Sequence, residues 1–161
     1  MTASRAHVAV VGGGQVDADV CAVAEAVGRA LGRKGAVVVC GGLGGVMEAA
    51  CRGAKAEGGT TVGILPGDDR SHANRWVDVV VPTGMGEARN ALVVRSADAL
   101  IAVDGEFGTL SEIALALRMG KPVVGLDTWE LSRPGLTADP VVRAGSAEDA
   151  VELALALIGA H

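Results

Sequence analysis

The chain has 161 residues, half of them apolar but only 2% aromatic, and a net charge of -5 spread without blocks of like sign. That length suits one domain, with a core that Val, Ala, Leu and Ile must fill. The balance disfavours a nucleic-acid surface, which needs a basic stripe and stacking rings, and no apolar run reaches the roughly 18 residues of a membrane span.

The N-terminal stretch "MTASRAHVAVVGGG" enters a strand directly and lacks the length and cleavage pattern of a signal peptide, so a cytoplasmic location is expected. The run "HVAVV" (7–11) reads as that strand and ends at Gly12-Gly13-Gly14. Residues 17–33 then place Val20, Ala24, Val27 and Leu31 at helical spacing. A second strand, "AVVVC" (36–40), runs into Gly41-Gly42-Leu43-Gly44-Gly45, and "VMEAACRGAKAEG" after it is helical. The third strand, "TTVGIL" (60–65), stops at Pro66-Gly67.

A polar loop, "DDRSHANRW", leads to a strand over 77–81 that Pro82 ends. A helix is expected over 86–97, a strand over 98–103, and a helix over 108–120 with Gly120 as its stop. "KPVVGL" (121–126) follows as a strand, and a loop with Trp129 and Pro134 leads to a short run, "PVVRA". The last helix starts at Ser146, with Asp149 completing a near capping box.

The strands are continuous apolar runs alternating with helices, the pattern of a parallel sheet buried on both faces. The expected fold is therefore a single α/β domain over 1–161: a doubly wound, Rossmann-like parallel sheet of about six or seven strands sandwiched by helices. Ligands of such sheets bind at the carboxyl ends of the strands, where all three glycine clusters fall.

The familiar phosphate motifs fit poorly. Gly12-x-Gly14 and Gly42-x-Gly44 both lack the third glycine of the dinucleotide fingerprint, and Cys40-Gly41 stands where a ribose-binding acid is expected. No G-x-x-x-x-G-K-[S/T] is present. What remains is the helix start after "DGEFGT", where unpaired N–H groups and the helix dipole favour an anion. Gly105 and Gly108 let the backbone come close, Thr109 adds a hydroxyl, and Glu112 lies one helical turn further on the same face. Thr109-x-x-Glu112 reads equally as a capping box with no ligand role. Asp104 and Glu106 add negative charge beside an anion site, so their carboxylates are expected to point away from it, and Glu112 into it.

The segments "GGLGGVMEAACRGA" (41–54), "GEARN" and "GTLSE", within the longer run from "GILPGDDRSHANRW" to "GKPVVGL", resemble the LOG-like Rossmann proteins, also described as lysine-decarboxylase-like. Within that family the chain is similar to the bacterial branch that includes molybdenum cofactor carrier proteins. The resemblance covers nearly the whole chain. It implies a phosphate or nucleotide site built from the loops at 41–45 and 105–109, with Arg89 and Glu112 matching the arginine and glutamate that serve cleavage of a nucleoside monophosphate in cytokinin-activating members. It also implies a homo-oligomer, a dimer or tetramer, burying part of the Ala- and Val-rich helices. The lysine expected after Arg89 is Asn90, which removes a cation and weakens the case for hydrolysis.

The candidate phosphate-binding residues are Gly12, Gly13, Gly42, Gly44, Gly45, Arg89, Gly105, Gly108, Thr109 and Glu112, with Arg89 and Glu112 catalytic only if the protein is a hydrolase. Arg89 reads alternatively as a surface arginine paired with Glu87 or Asp98. Glu48 suits a first-turn dipole role. In the 68–74 loop, Arg70 and Asn74 are candidates to close over a ligand, and His72 has no visible catalytic partner. Asp68, Asp69 and Asp104 offer hard oxygen ligands for Mg²⁺ beside a phosphate, though no metal site is assigned. Cys21, Cys40 and Cys51, odd in number and without a CxxC spacing, read as small buried hydrophobes, Trp129 and Met119 as packing, His7 as a strand-edge residue and His161 as a chain end.

Three functions follow. The first is a non-catalytic binding protein for a phosphorylated nucleotide-like or pterin-like ligand, with molybdenum cofactor as the cargo the resemblance implies. The second is a nucleoside 5'-monophosphate phosphoribohydrolase. The third is an assembly or regulatory protein that only inherits the fold.

Overall fold

Valine-rich runs without polar alternation need apolar cover on both faces, and helices supply it over the central strands here, while Val79 and Val81 at the sheet edge stay exposed. The computed structural model describes residues 3–160, so His161 lies outside the described residues. The strands are β1 (His7–Gly12), β2 (Val37–Cys40), β3 (Thr60–Leu65), β4 (Val79–Pro82), β5 (Ala99–Val103), β6 (Val123–Leu126) and β7 (Val142–Arg143). They form one sheet of seven in the order β4-β3-β2-β1-β5-β6-β7, with every neighbouring pair parallel. The helices are α1 (Ala18–Arg33), α2 (Val46–Ala56), α3 (Arg89–Arg95), α4 (Phe107–Arg118) and α5 (Ala147–Gly159).

Alternate residues of one strand serve opposite faces. Val8 and Val10 of β1 pack with α1, α2 and α5, whereas Ala9 and Val11 pack with α3 and α4. The chain winds outward from β1 to β4 and then returns to β5 on the other side of β1. This reversal opens a crevice at the carboxyl ends of the central strands, where Gly12 of β1 lies level with Val103 of β5.

On the α1/α2 face the two helix backbones touch. A Cβ on Gly28 would stand 2.0 Å from the Ala50 carbonyl oxygen, and one on Gly53 would stand 2.0 Å from that of Glu25. No side chain fits there, so glycine sets the depth at which α2, and the turn before it, seats against the sheet.

Several boundaries differ from the sequence reading for local reasons. The helix expected over 86–97 begins as a 3-10 turn, Gly86–Ala88, and is α-helical only over Arg89–Arg95. Gly86 takes a left-handed φ of 59° that an α-helix start does not accommodate. The strand expected over 77–81 is shifted to end on Pro82, which an edge strand tolerates because its outward N–H has no ladder partner to lose. "PVVRA" forms only the two-residue β7. Asp17 caps α1 through the Val20 N–H, and Ser146 caps α5 through that of Asp149, whose carboxylate accepts from the Gly145 N–H. Cys40 and Cys51 are buried free thiols with their sulfurs 3.5 Å apart.

Gly53→Ala should lower stability by about 1–3 kcal/mol, the usual cost of overpacking. Gly159→Ala, with open space around its Cβ position, should leave it unchanged. Urea midpoints of the two variants check this, and equal midpoints would contradict the close approach of α1 and α2.

Candidate functional site

The crevice contains a cavity of about 400 Å³. The turn after β1 supplies one wall through Gly12, Gly13, Gly14 and Gln15, and Gly41 and Met47 supply the side below β2 and α2. The opposite wall comes from Arg89 and Asn90 of α3 and from Glu106, Gly108, Thr109 and Glu112 at the start of α4. Of the residues singled out in the sequence, Gly12, Gly13, Arg89, Gly108, Thr109 and Glu112 therefore share one cavity.

Gly42, Gly44, Gly45 and Gly105 do not line it; they shape the turns around it. Gly45, at φ 64°, packs so tightly that a Cβ would stand 2.2 Å from the Gly13 carbonyl oxygen, and the Val46 N–H donates to that same oxygen at 3.0 Å. Loop 41–45 thus braces the turn after β1. Gly105 leaves room for the Thr109 side chain, which a Cβ would meet at 2.5 Å. Asn74 holds loop 41–45 from behind, its N–H donating to Gly42 O at 2.9 Å and its Nδ2 to Leu43 O at 2.9 Å.

The α4 start is open. Its cap position is Glu106, whose side chain makes no capping bond, and the first intrahelical bond runs from Leu110 N to Glu106 O at 3.0 Å. The N–H groups of Phe107, Gly108 and Thr109 lie in the first turn, before any intrahelical acceptor is available. The alternative reading of Thr109 and Glu112 as a capping box does not hold, because the helix begins two residues before Thr109. Trp129, read as packing, fixes this end: its Nε1 donates to Glu106 O at 3.1 Å, and its ring lies against Phe107 at 5.4 Å.

Glu112 is 7% exposed and has no hydrogen-bond partner among the described residues. Burial pushes its carboxyl up to about 7, against the pull of the Arg89 guanidinium. Arg89 is held rather than free to swing. Its Nε donates to Ile64 O at 3.0 Å, its Nη1 donates to Asn90 Oδ1, and its Nη2 lies where a Cβ on Gly41 would approach to 2.6 Å. It forms no ion pair among the described residues, so the pairing with Glu87 or Asp98 is not made; the Asp98 carboxylate accepts from His7 N instead.

Asn90, in the place of an expected lysine, is buried and joins the two helices of this wall. Its Nδ2 donates to Ser111 Oγ at 3.0 Å, and Ser111 Oγ donates to Gly108 O at 2.7 Å. One relay therefore sets both Arg89 and the Gly108 turn. The sequence shows Asn90 only as a missing cation.

Asp104 stands clear of this cavity, in a left-handed conformation at φ 52°, beside a smaller one of about 220 Å³. Glu106, at the cap position of α4, is among the residues of the main cavity wall. Asp68, Asp69, Arg70, His72 and Asn74 do not line it. Arg70 reaches the edge-strand carbonyl of Val80 at 3.4 Å, and Asp69 caps the short turn Arg70–His72. Among the described residues no group of three or more His, Cys, Asp or Glu is arranged to hold a metal ion, so the three aspartates suggested for Mg²⁺ form no ligand set.

A family model described as the SLOG cluster4 family matches residues 5–154, and the chain belongs to that family. The structure is similar to that of a molybdenum cofactor binding protein from the phototrophic bacterium Rippkaea orientalis, at a TM-score of 0.88 and 37% identity, covering 98% of this chain and 99% of that one. It is similar as well to the molybdenum cofactor carrier protein of Chlamydomonas reinhardtii, at a TM-score of 0.84 and 32% identity, covering 97% and 99% of the two chains. An uncharacterised protein of Archaeoglobus fulgidus is 47% identical over 120 residues, 74% of this chain and 79% of that protein. The LOG-like resemblance read in the sequence, including the branch, agrees with these matches.

The raised Glu112 carboxyl carries a stability consequence. Folded Glu112 binds its proton more tightly than unfolded Glu112, so its cost is absent below the ordinary value of 4.5 and grows until pH passes about 7. Glu112→Gln should accordingly gain about 3 kcal/mol on the wild type between pH 4.5 and pH 8. Denaturation of both proteins across that range checks it; parallel stability profiles would show that the carboxyl is not desolvated.

Proposed function

We propose that the protein is a non-catalytic carrier that holds a phosphorylated nucleotide-like or pterin-like ligand in this cavity, with molybdenum cofactor as its cargo. The observation that carries the reading is the uncapped start of α4 opening into the same cavity as Arg89. An oxyanion there meets backbone N–H groups, the positive end of the helix dipole and a guanidinium fixed by Ile64 and Asn90. The cavity volume lies in the range of small-molecule sites. The two similar proteins from Rippkaea and Chlamydomonas, described as binding or carrying molybdenum cofactor, support that choice of cargo.

The nucleoside monophosphate phosphoribohydrolase is the second reading. It draws on Glu112, an acid near neutrality in the same cavity as Arg89, which suits proton transfer at a glycosidic bond. Against it stands Asn90, where the hydrolytic members resembled here place a lysine. Its buried amide is committed to Arg89 and Ser111.

Native mass spectrometry of freshly purified protein should show a bound small molecule containing phosphate, and the Arg89→Ala variant should lose it. Release of adenine from AMP by the wild type, abolished in Glu112→Gln, would instead establish the hydrolase.

The reading includes a homo-oligomer in the cytoplasm; no described helix is long and apolar enough to cross a membrane. Phe107 is 74% exposed at the start of α4, and with Ala88, Ala91 and Leu115 it borders an open hollow between α3 and α4. An apolar surface of this kind suits burial against a second copy. Sedimentation at micromolar concentration should give at least a dimer that Phe107→Asp dissociates, whereas a monomeric wild type would contradict it.

A further inference from the structure

Among the described residues Glu112 is a buried carboxyl that no hydrogen bond holds. It is 93% buried by its 7% exposure, yet it lines the same cavity as Gly108, Thr109 and Arg89. The charged or titratable groups that face it are Arg89 from α3, the Cys40 thiol from β2 and Glu106 at the start of α4. The turn after β1 and helix α2 contribute only glycines, Gln15 and Met47 to this cavity.

An ionised carboxylate in that position repels a second anion in the same cavity, and a single guanidinium must then serve both. A neutral carboxyl does the opposite, because its O–H donates to an oxyanion. We propose that anion binding in this cavity is linked to uptake of a proton by Glu112, so that a phosphate- or sulfate-type group is held when Glu112 is neutral and released when it ionises. The inference rests on the cavity being the anion site.

The sign follows from burial. Glu112 already keeps its proton to about pH 7, and a bound anion favours the protonated form further, so affinity is full below that value and falls as pH rises through it. If the neutral form alone binds, apparent affinity scales with its population and drops about tenfold between pH 6 and pH 8.

Sulfate is the suitable probe, since it stays a dianion throughout that range. Titration of sulfate into ¹⁵N-labelled protein, read at the Gly108 and Thr109 amides, should give a wild-type Kd about tenfold weaker at pH 8 than at pH 6. Glu112→Gln should bind with one Kd at both. The variant retains Arg89, Cys40 and Glu106, so a pH dependence that persists in it overturns the assignment to Glu112, as does a wild-type Kd that does not change. The wild type alone gives a second measure: saturating sulfate should raise the pH at which the Glu112 carboxyl ¹³C signal titrates, and an unmoved titration overturns the linkage. If no sulfate shift occurs at Gly108 or Thr109 even at pH 6, the reading of the cavity as an anion site fails as well.

Discussion

A parallel sheet whose central strands are buried on both faces leaves polar chemistry to its strand ends, and the placement of the candidate site follows from that constraint. Val8 to Val11 give one face to α1, α2 and α5 and the other to α3 and α4, so none of these four positions is free to present a polar group before Gly12. The chain then reverses direction across the sheet between β4 and β5. The three glycine turns thereby meet at one crevice. The fold places them; the side chains of α3 and α4 decide what the crevice favours.

Those side chains are set against one another. Arg89 and the open α4 start attract negative charge, while Glu112 and Glu106 in the same wall oppose it. The opposition is uneven, because Glu112 is buried and reaches neutrality near the physiological range. Asn90 contributes by position: it fixes the guanidinium and, through Ser111, the carbonyl of Gly108. A lysine there would add charge but would lack the carbonyl oxygen that accepts from Arg89.

Much of the architecture was legible in the sequence because local pattern carries it. Continuous Val and Ile runs marked the strands, glycine clusters marked their carboxyl ends, and Ser146 marked a helix start that the structure caps as expected. The cavity residues were legible through Arg89, Thr109 and Glu112. The roles of Gly42, Gly44 and Gly45 were not, since what approaches them is the protein's own backbone at Gly13, Gly14 and Gly63, brought near by tertiary packing. The same holds for Asn90 and Trp129, whose partners lie 21 and 23 residues away in the chain. The helix start at Phe107 rather than Thr109 decides between a capping and a cavity-facing Glu112, and boundaries of that kind follow from Trp129 holding Glu106, which no local spacing encodes.

The account turns on where a phosphate sits. A crystal structure of the protein with a bound nucleoside monophosphate tests this most directly. The phosphate should lie against the N–H groups of Gly108 and Thr109 and within hydrogen-bond reach of Arg89. A phosphate bound on another face of the sheet, with this cavity filled only by solvent, would contradict the account.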